Sequence, residues 1–130
     1  MVRDGVSKIV TLLITPLESR TGSMLYQLKV RQTLEQLNVS IPIIHVDQWH
    51  LHPRYLEVLA DRVRSAVQWL PSSIRQESTV VFTAHSQPGK PERHITYTTQ
   101  FAELAEAIAN RLELPHWRTA YRSAGEKGEW

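Results

Sequence analysis

The segment Thr79 to Pro88 reads Thr-Val-Val-Phe-Thr-Ala-His-Ser-Gln-Pro. Val80, Val81 and Phe82 form a short β-branched and aromatic run. A polar segment precedes it, and Ser, Gln, Pro and Gly follow, so the pattern predicts a fully buried strand ending in a loop. His85 closes that strand. In open parallel sheets, ligands bind beyond the carboxyl ends of the strands. An imidazole at such a position is a metal ligand, a base or a hydrogen-bonded loop residue, and the strand pattern leaves all three open.

Outward from this stretch, apolar runs alternate with amphipathic segments. Lys8 to Thr15 is a continuous apolar strand stopped by Pro16. Ser23 is a candidate N-cap for a helix from about Met24 to Leu37, with Leu25, Leu28, Leu34 and Leu37 near helical spacing. Ile41 to Val46 is a second strand. Pro53 starts the next helix at the position where a missing amide proton costs little. Leu56, Leu59, Ala60, Val63, Ala66, Val67 and Leu70 share one face of that helix, and Pro71 stops it. Ser72 to Ser78 is a polar connection. Beyond the central strand, Thr96 or Thr98 is placed to cap a helix carrying Phe101, Leu104, Ala105, Ile108, Ala109 and Leu112. His116 to Tyr121 is a fourth strand. Each βα unit fills roughly 30 to 40 residues, the pattern of a parallel sheet with right-handed crossovers. The expected fold is α/β: one domain over residues 1–130, a four-stranded parallel sheet with helices on both faces.

Composition narrows the function. The chain has 130 residues, 42% hydrophobic and 22% charged, with a formal net charge of +2. Lys and Arg are scattered, and no basic-aromatic stripe marks a nucleic-acid surface. With no cysteine, disulfides, thiolate zinc sites and iron–sulfur ligation drop out. The segment Met1 to Lys8 holds no signal-peptide apolar run. No apolar run approaches the roughly 20 residues that span a bilayer, and a cytoplasmic location is expected. The nucleophile elbow, the dinucleotide-binding glycine turn and the phosphate-binding loop are all missing from the sequence.

Six histidines are the candidate ligands. In an extended segment, His50 and His52 would point the same way. Such a pair binds zinc or nickel with a third ligand from elsewhere; the alternative is a solvent-exposed loop before a helix. His45, inside an apolar strand, reads as a hydrogen-bonded, partly buried histidine. His94 and His116 have no motif around them.

The segment Val81 to Pro88 resembles the histidine signature of ferrochelatases, the enzymes that insert ferrous iron into a porphyrin. The resemblance runs from about Ile9 to Trp130, and it is closest to the water-soluble members acting on coproporphyrin. Leu13-Ile14-Thr15-Pro16 resembles the strand before the family's Ser-rich loop, with Ser19 and Tyr26 matching that loop and its helix. Val46 to Pro53 resembles the family's strand, tryptophan (Trp49) and helix-starting proline. His116 to Gly125 resembles its Trp/Tyr-Gln-Ser segment, and Trp130 falls at the tryptophan of its Trp-Leu-x-Pro. The chain departs from the family at Leu17 for a histidine, Gln87 for leucine, Ile95-Thr96-Tyr97 for Gly-Asp-Pro-Tyr, and Arg122 for glutamine. The match covers the middle portion of the family. The partner glutamate lies in a segment following the position of Trp130, and the strands of the other cleft wall lie outside the match.

The resemblance implies a class II chelatase-like fold and a role in haem biosynthesis, with a porphyrin and ferrous iron or another divalent metal as substrates and no cofactor required. It assigns His85 to binding the metal or accepting pyrrole protons, and Ser19, Tyr26, Trp49, Ser86 and Tyr97 to the substrate. His50 and His52 are the alternative metal ligands. A half-size chelatase would complete its cleft with a second copy, as small homodimeric chelatases do, so a homodimer is expected. The competing reading is a non-catalytic relative that binds tetrapyrrole, metal or a partner protein.

Overall fold

A computed structural model describes residues 5–124 and 130. The backbone divides into two compact units, Met1–Trp49 and His50–Trp130. In the first, β1 (Ile9–Leu12), α1 (Ser23–Gln36) and β2 (Ile43–Val46) form a βαβ unit. The strands run parallel, Ile9 opposite Ile43 and Leu12 opposite Val46. In the second, α2 (Pro53–Gln68) and a short α3 (Ser72–Arg75) precede β3 (Val80–His85), α4 (Ile95–Arg111) and β4 (Trp117–Arg122). Strands β3 and β4 are also parallel, Val80 opposite Trp117 and His85 opposite Arg122.

The parallel pairing follows the sequence pattern; the single four-stranded sheet does not. Among the described residues there are two separate two-stranded sheets, β1–β2 and β3–β4. Each ladder is closed by its own crossover, and no ladder joins a strand of one pair to a strand of the other. The strand pattern specifies direction and facing, not which edges meet.

The second correction concerns burial. Strand β3 alternates half-buried and exposed residues, and Val81 is 52% exposed. A strand with one covered face shows period two, so Val80, Phe82 and Ala84 turn inward while Val81, Thr83 and His85 face out. The ring of Phe82 meets that of Trp117 edge-on at 6.2 Å.

Helix α4 carries the core. Tyr97, Phe101, Leu104, Ala105, Ile108 and Ala109 are buried, joined by Ala60 of α2. Their spacing of three and four residues makes one stripe. The helix ends with Glu113 in the left-handed region (φ 51°), its amide bonded to the Asn110 carbonyl and that of Leu114 to the Ala109 carbonyl. Asn38 (φ 51°) closes α1 the same way, where asparagine tolerates the conformation better. Gly22 precedes α1 as its cap residue, and Ser23, the expected N-cap, is instead its first and only buried residue. Likewise α4 begins at Ile95 with His94 as its cap residue, so the expected caps Thr96 and Thr98 both lie inside the helix.

Candidate active site at the end of strand β3

His85 ends β3 with its side chain on the exposed face, in register with Arg122 of β4. Its Nδ1 lies 2.6 Å from the Ser86 carbonyl oxygen. A carbonyl only accepts, so Nδ1 carries the proton and a neutral ring has its lone pair at Nε2. The backbone thereby sets the imidazole's donor and acceptor ends, as a hydrogen bond to the far ring nitrogen does for metal-binding histidines.

The peptide that orients His85 is itself held. The Ser86 amide donates to the Arg122 carbonyl at 2.9 Å, extending the ladder by one bond. The Ser86 hydroxyl donates to the Ser123 carbonyl at 2.6 Å, and the residue is 6% exposed. From α4, the Tyr97 hydroxyl donates to the His85 carbonyl at 2.8 Å. Burial pushes the Tyr97 phenol up, and its hydrogen bond with Gln87 partly offsets this. Tyr121 is raised first by burial and then by Tyr97. Ser86 and Tyr97 thus spend their hydroxyls on the backbone at either side of the imidazole.

An aromatic cluster backs this end of the sheet. The Tyr121 ring lies 5.4 Å from Phe101 and 4.8 Å from Trp130. The Trp130 indole donates to the Gly89 carbonyl at 2.7 Å, where the chain turns through a positive φ of 84° that glycine adopts freely. Buried His94 donates from Nε2 to the Pro88 carbonyl at 2.9 Å and packs on Trp130 at 5.7 Å. Sequence reasoning attached no role to His94, because its partner is a backbone carbonyl and not a patterned side chain.

His50 and His52 part company. Residues 50 and 51 form a turn rather than an extended segment. His50 is 7% exposed, with Nε2 donating to Glu103 of α4 at 3.0 Å. His52 is exposed and is the cap residue of α2, its carbonyl accepting the Tyr55 and Leu56 amides. Glu103 lies beside the apolar stripe of α4, and that adjacency was the signal available for its pairing. Among the described residues, no group of three or more histidines, cysteines or carboxylates could hold a metal ion.

The other sequence-predicted residues belong to the first unit. The Ser19 amide donates to Ser23 Oγ at 2.8 Å, and the Ser19 carbonyl accepts the Met24 amide at 3.1 Å. Tyr26 is 61% exposed on α1. The Trp49 indole donates to the Leu13 carbonyl at 2.8 Å. His45 is half-buried and bonded to Thr11 at 2.6 Å, as its place in an apolar strand implied.

The second unit carries a backbone-oriented imidazole at the carboxyl end of a parallel strand, the end at which open α/β sheets bind ligands. The family model for ferrochelatase matches residues 1–130, and the chain belongs to the ferrochelatase family. A ferrochelatase of Herpetosiphon aurantiacus is 34% identical over 97% of this chain and 42% of its own length. One of Deinococcus radiodurans is 31% identical over 99% of the chain and 42% of the relative. A coproporphyrin III ferrochelatase of Listeria innocua is 25% identical over 99% and 42% respectively. The chain therefore spans about two fifths of the length of these relatives. No helix among the described residues is long and apolar enough to cross a membrane.

Proposed function

We propose that this chain inserts ferrous iron, or another divalent metal, into a porphyrin in haem biosynthesis, with His85 as its reacting side chain and without a resident cofactor. The observation that carries this reading is the anchored Nδ1 of His85, which leaves the lone pair at Nε2 (2.6 Å contact to Ser86). In the reaction a divalent cation enters the macrocycle and two pyrrole protons leave. A neutral imidazole suits either half, as a ligand for ferrous iron or as a proton acceptor near neutral pH. Ser19, Tyr26, Trp49, Ser86 and Tyr97 are assigned to the tetrapyrrole, and Ser86 and Tyr97 also hold the backbone on which the imidazole is carried.

A cleft completed by a second copy belongs to the same proposal. Apolar Val10, Leu12, Ile44 and Val46 lie on one face of the β1–β2 sheet and are 61%, 63%, 48% and 40% exposed. Such a patch is unusual on a monomer, and light scattering should report a dimer. The catalytic test is anaerobic incubation with coproporphyrin and ferrous iron, followed by the porphyrin absorption bands. Wild type should turn over, and His85→Ala should lose at least about tenfold, roughly 1.4 kcal/mol. His50→Ala and His52→Ala should lose less. A wild-type protein that shifts the Soret band on binding but never inserts metal favours the non-catalytic relative. Loss of metal binding in the His50 and His52 variants with His85→Ala intact moves the site to that pair.

A further inference from the structure

We propose that His94 is a positioning residue that selects which ring nitrogen His85 offers; this rests on the reading of His85 as the reacting side chain. Two observations lead there. His94 is 6% exposed, and its Nδ1 is buried without a hydrogen-bond partner among the described residues. A buried acceptor left unpaired is costly, so the ring's position is not set by satisfying both nitrogens. What the ring does is donate from Nε2 to the Pro88 carbonyl at 2.9 Å.

That bond lies in the connection leaving His85. Ser86 is tied to β4 through its amide and hydroxyl, and Tyr97 ties the His85 carbonyl to α4. Gly89 is tied to Trp130, whose ring packs on His94. Gln87 is tied to Tyr97 through its side chain, and at the next position the His94 bond fixes the Pro88 carbonyl. Proline lacks an amide hydrogen, so Pro88 has no N–H of its own to hold this stretch, and its carbonyl is the available handle. With Pro88 fixed, the Ser86 carbonyl stays directed at His85 Nδ1, and the Nδ1–H form of the imidazole is favoured. Without the bond, the peptides from Ser86 to Gly89 can rotate, and the two neutral forms of His85 approach equal population.

The roles of the His94 ring separate cleanly. Glutamine places an amide Nε2 donor near the imidazole Nε2 position. Phenylalanine keeps the packing on Trp130 without the donor, and asparagine keeps an amide that is one methylene too short. The readout is the pair of imidazole 15N resonances of His85, assigned by comparison with His85→Gln, at about pH 8.5, above the ordinary imidazole range. Wild type and His94→Gln should show predominantly protonated Nδ1. His94→Phe and His94→Asn should lower the ratio of the two forms by about fivefold, the effect of one neutral hydrogen bond. Should His94→Phe fail to fold, His94→Asn decides alone. An unchanged ratio in His94→Phe and His94→Asn overturns the proposal, as does a His94→Gln spectrum matching theirs. The measurement needs neither porphyrin nor iron. A protein whose His85 follows His94 but inserts no metal would refute the chelatase reading and leave this one standing.

Discussion

The two βαβ units share one plan, and their crossover helices differ. Helix α4 buries Tyr97, Phe101, Leu104, Ala105, Ile108 and Ala109, whereas α1 buries Ser23 alone. On α1, Met24, Leu25 and Leu28 are 46%, 40% and 46% exposed. The cause is legible in residue order. In α4 the apolar positions recur at three and four residues through about three turns, so one stripe meets the sheet. In α1, Gln27, Lys29, Arg31 and Gln32 interrupt the leucines, and no continuous stripe forms. A shared topology therefore does not give a shared core; the helix stripe decides how much apolar surface a parallel pair retains.

The sharpest way to break this comparison is truncation on each helix. Phe101→Ala should cost about 3 to 5 kcal/mol, from lost transfer energy and the cavity left behind. Leu28→Ala, already half in water, should stay within about 0.5 kcal/mol. Denaturant titration measures both, and equal losses would refute the contrast. Next comes the bond between the turn before α2 and α4. His50 is 7% exposed, so Glu103→Gln, which removes the carboxylate charge facing it, should cost about 1 to 2 kcal/mol. The surface pair of Arg64 and Asp61 on α2 should give less than about 0.5 kcal/mol on Asp61→Asn.

Alkaline titration sharpens the picture further. Burial raises the phenols of Tyr55, Tyr97 and Tyr121 above the ordinary value of 10.0. All three lie in the second unit. The folded state thus holds their protons more tightly than the unfolded chain, so this stability is present below pH 10 and fades as pH rises toward the folded values. Melting temperature should fall on that limb, and Tyr97→Phe should flatten it. A slope unchanged by the substitution would remove Tyr97 from the account. A small effect of the opposite sign is expected at the end of α4. Glu113→Gly relieves a left-handed glutamate and should stabilise by about 0.5 kcal/mol, visible as a small rise in midpoint.

Much of this was readable beforehand, for identifiable reasons. Pro53 and the stripe of α4 are local signals, and both mark real helices. Parallel pairing followed from the alternation of runs and helices. The joining of four strands into one sheet failed because Val80 to Ala84 encode a facing, not an edge partner. Helix α3 was hidden because four residues carry no periodicity. At the site, His85 stood out through its strand-end position, while the ties from Ser86, Tyr97 and His94 all end on backbone carbonyls. A carbonyl has no identity in the sequence, so such bonds leave no pattern to read.

The two ladders also carry a consequence for the order in which the molecule assembles. Cross-strand partners lie 34 residues apart in the first unit, as Thr11 and His45 do, and the tie just past the second ladder, from Ser86 to Ser123, spans 37. Chain closure over such similar spans costs nearly the same entropy. Neither ladder can form from neighbours alone, so the helix lying between the strands decides which closes first. Helix α4 brings its own adhesive stripe, and α1 does not. The β3–β4 pair should therefore close early and open last, with the ladder amides of Phe82 and Ala120 exchanging more slowly than those of Thr11 and Val46. The imidazole at the end of β3 would then sit on the part of the chain that acquires its shape first and gives it up last.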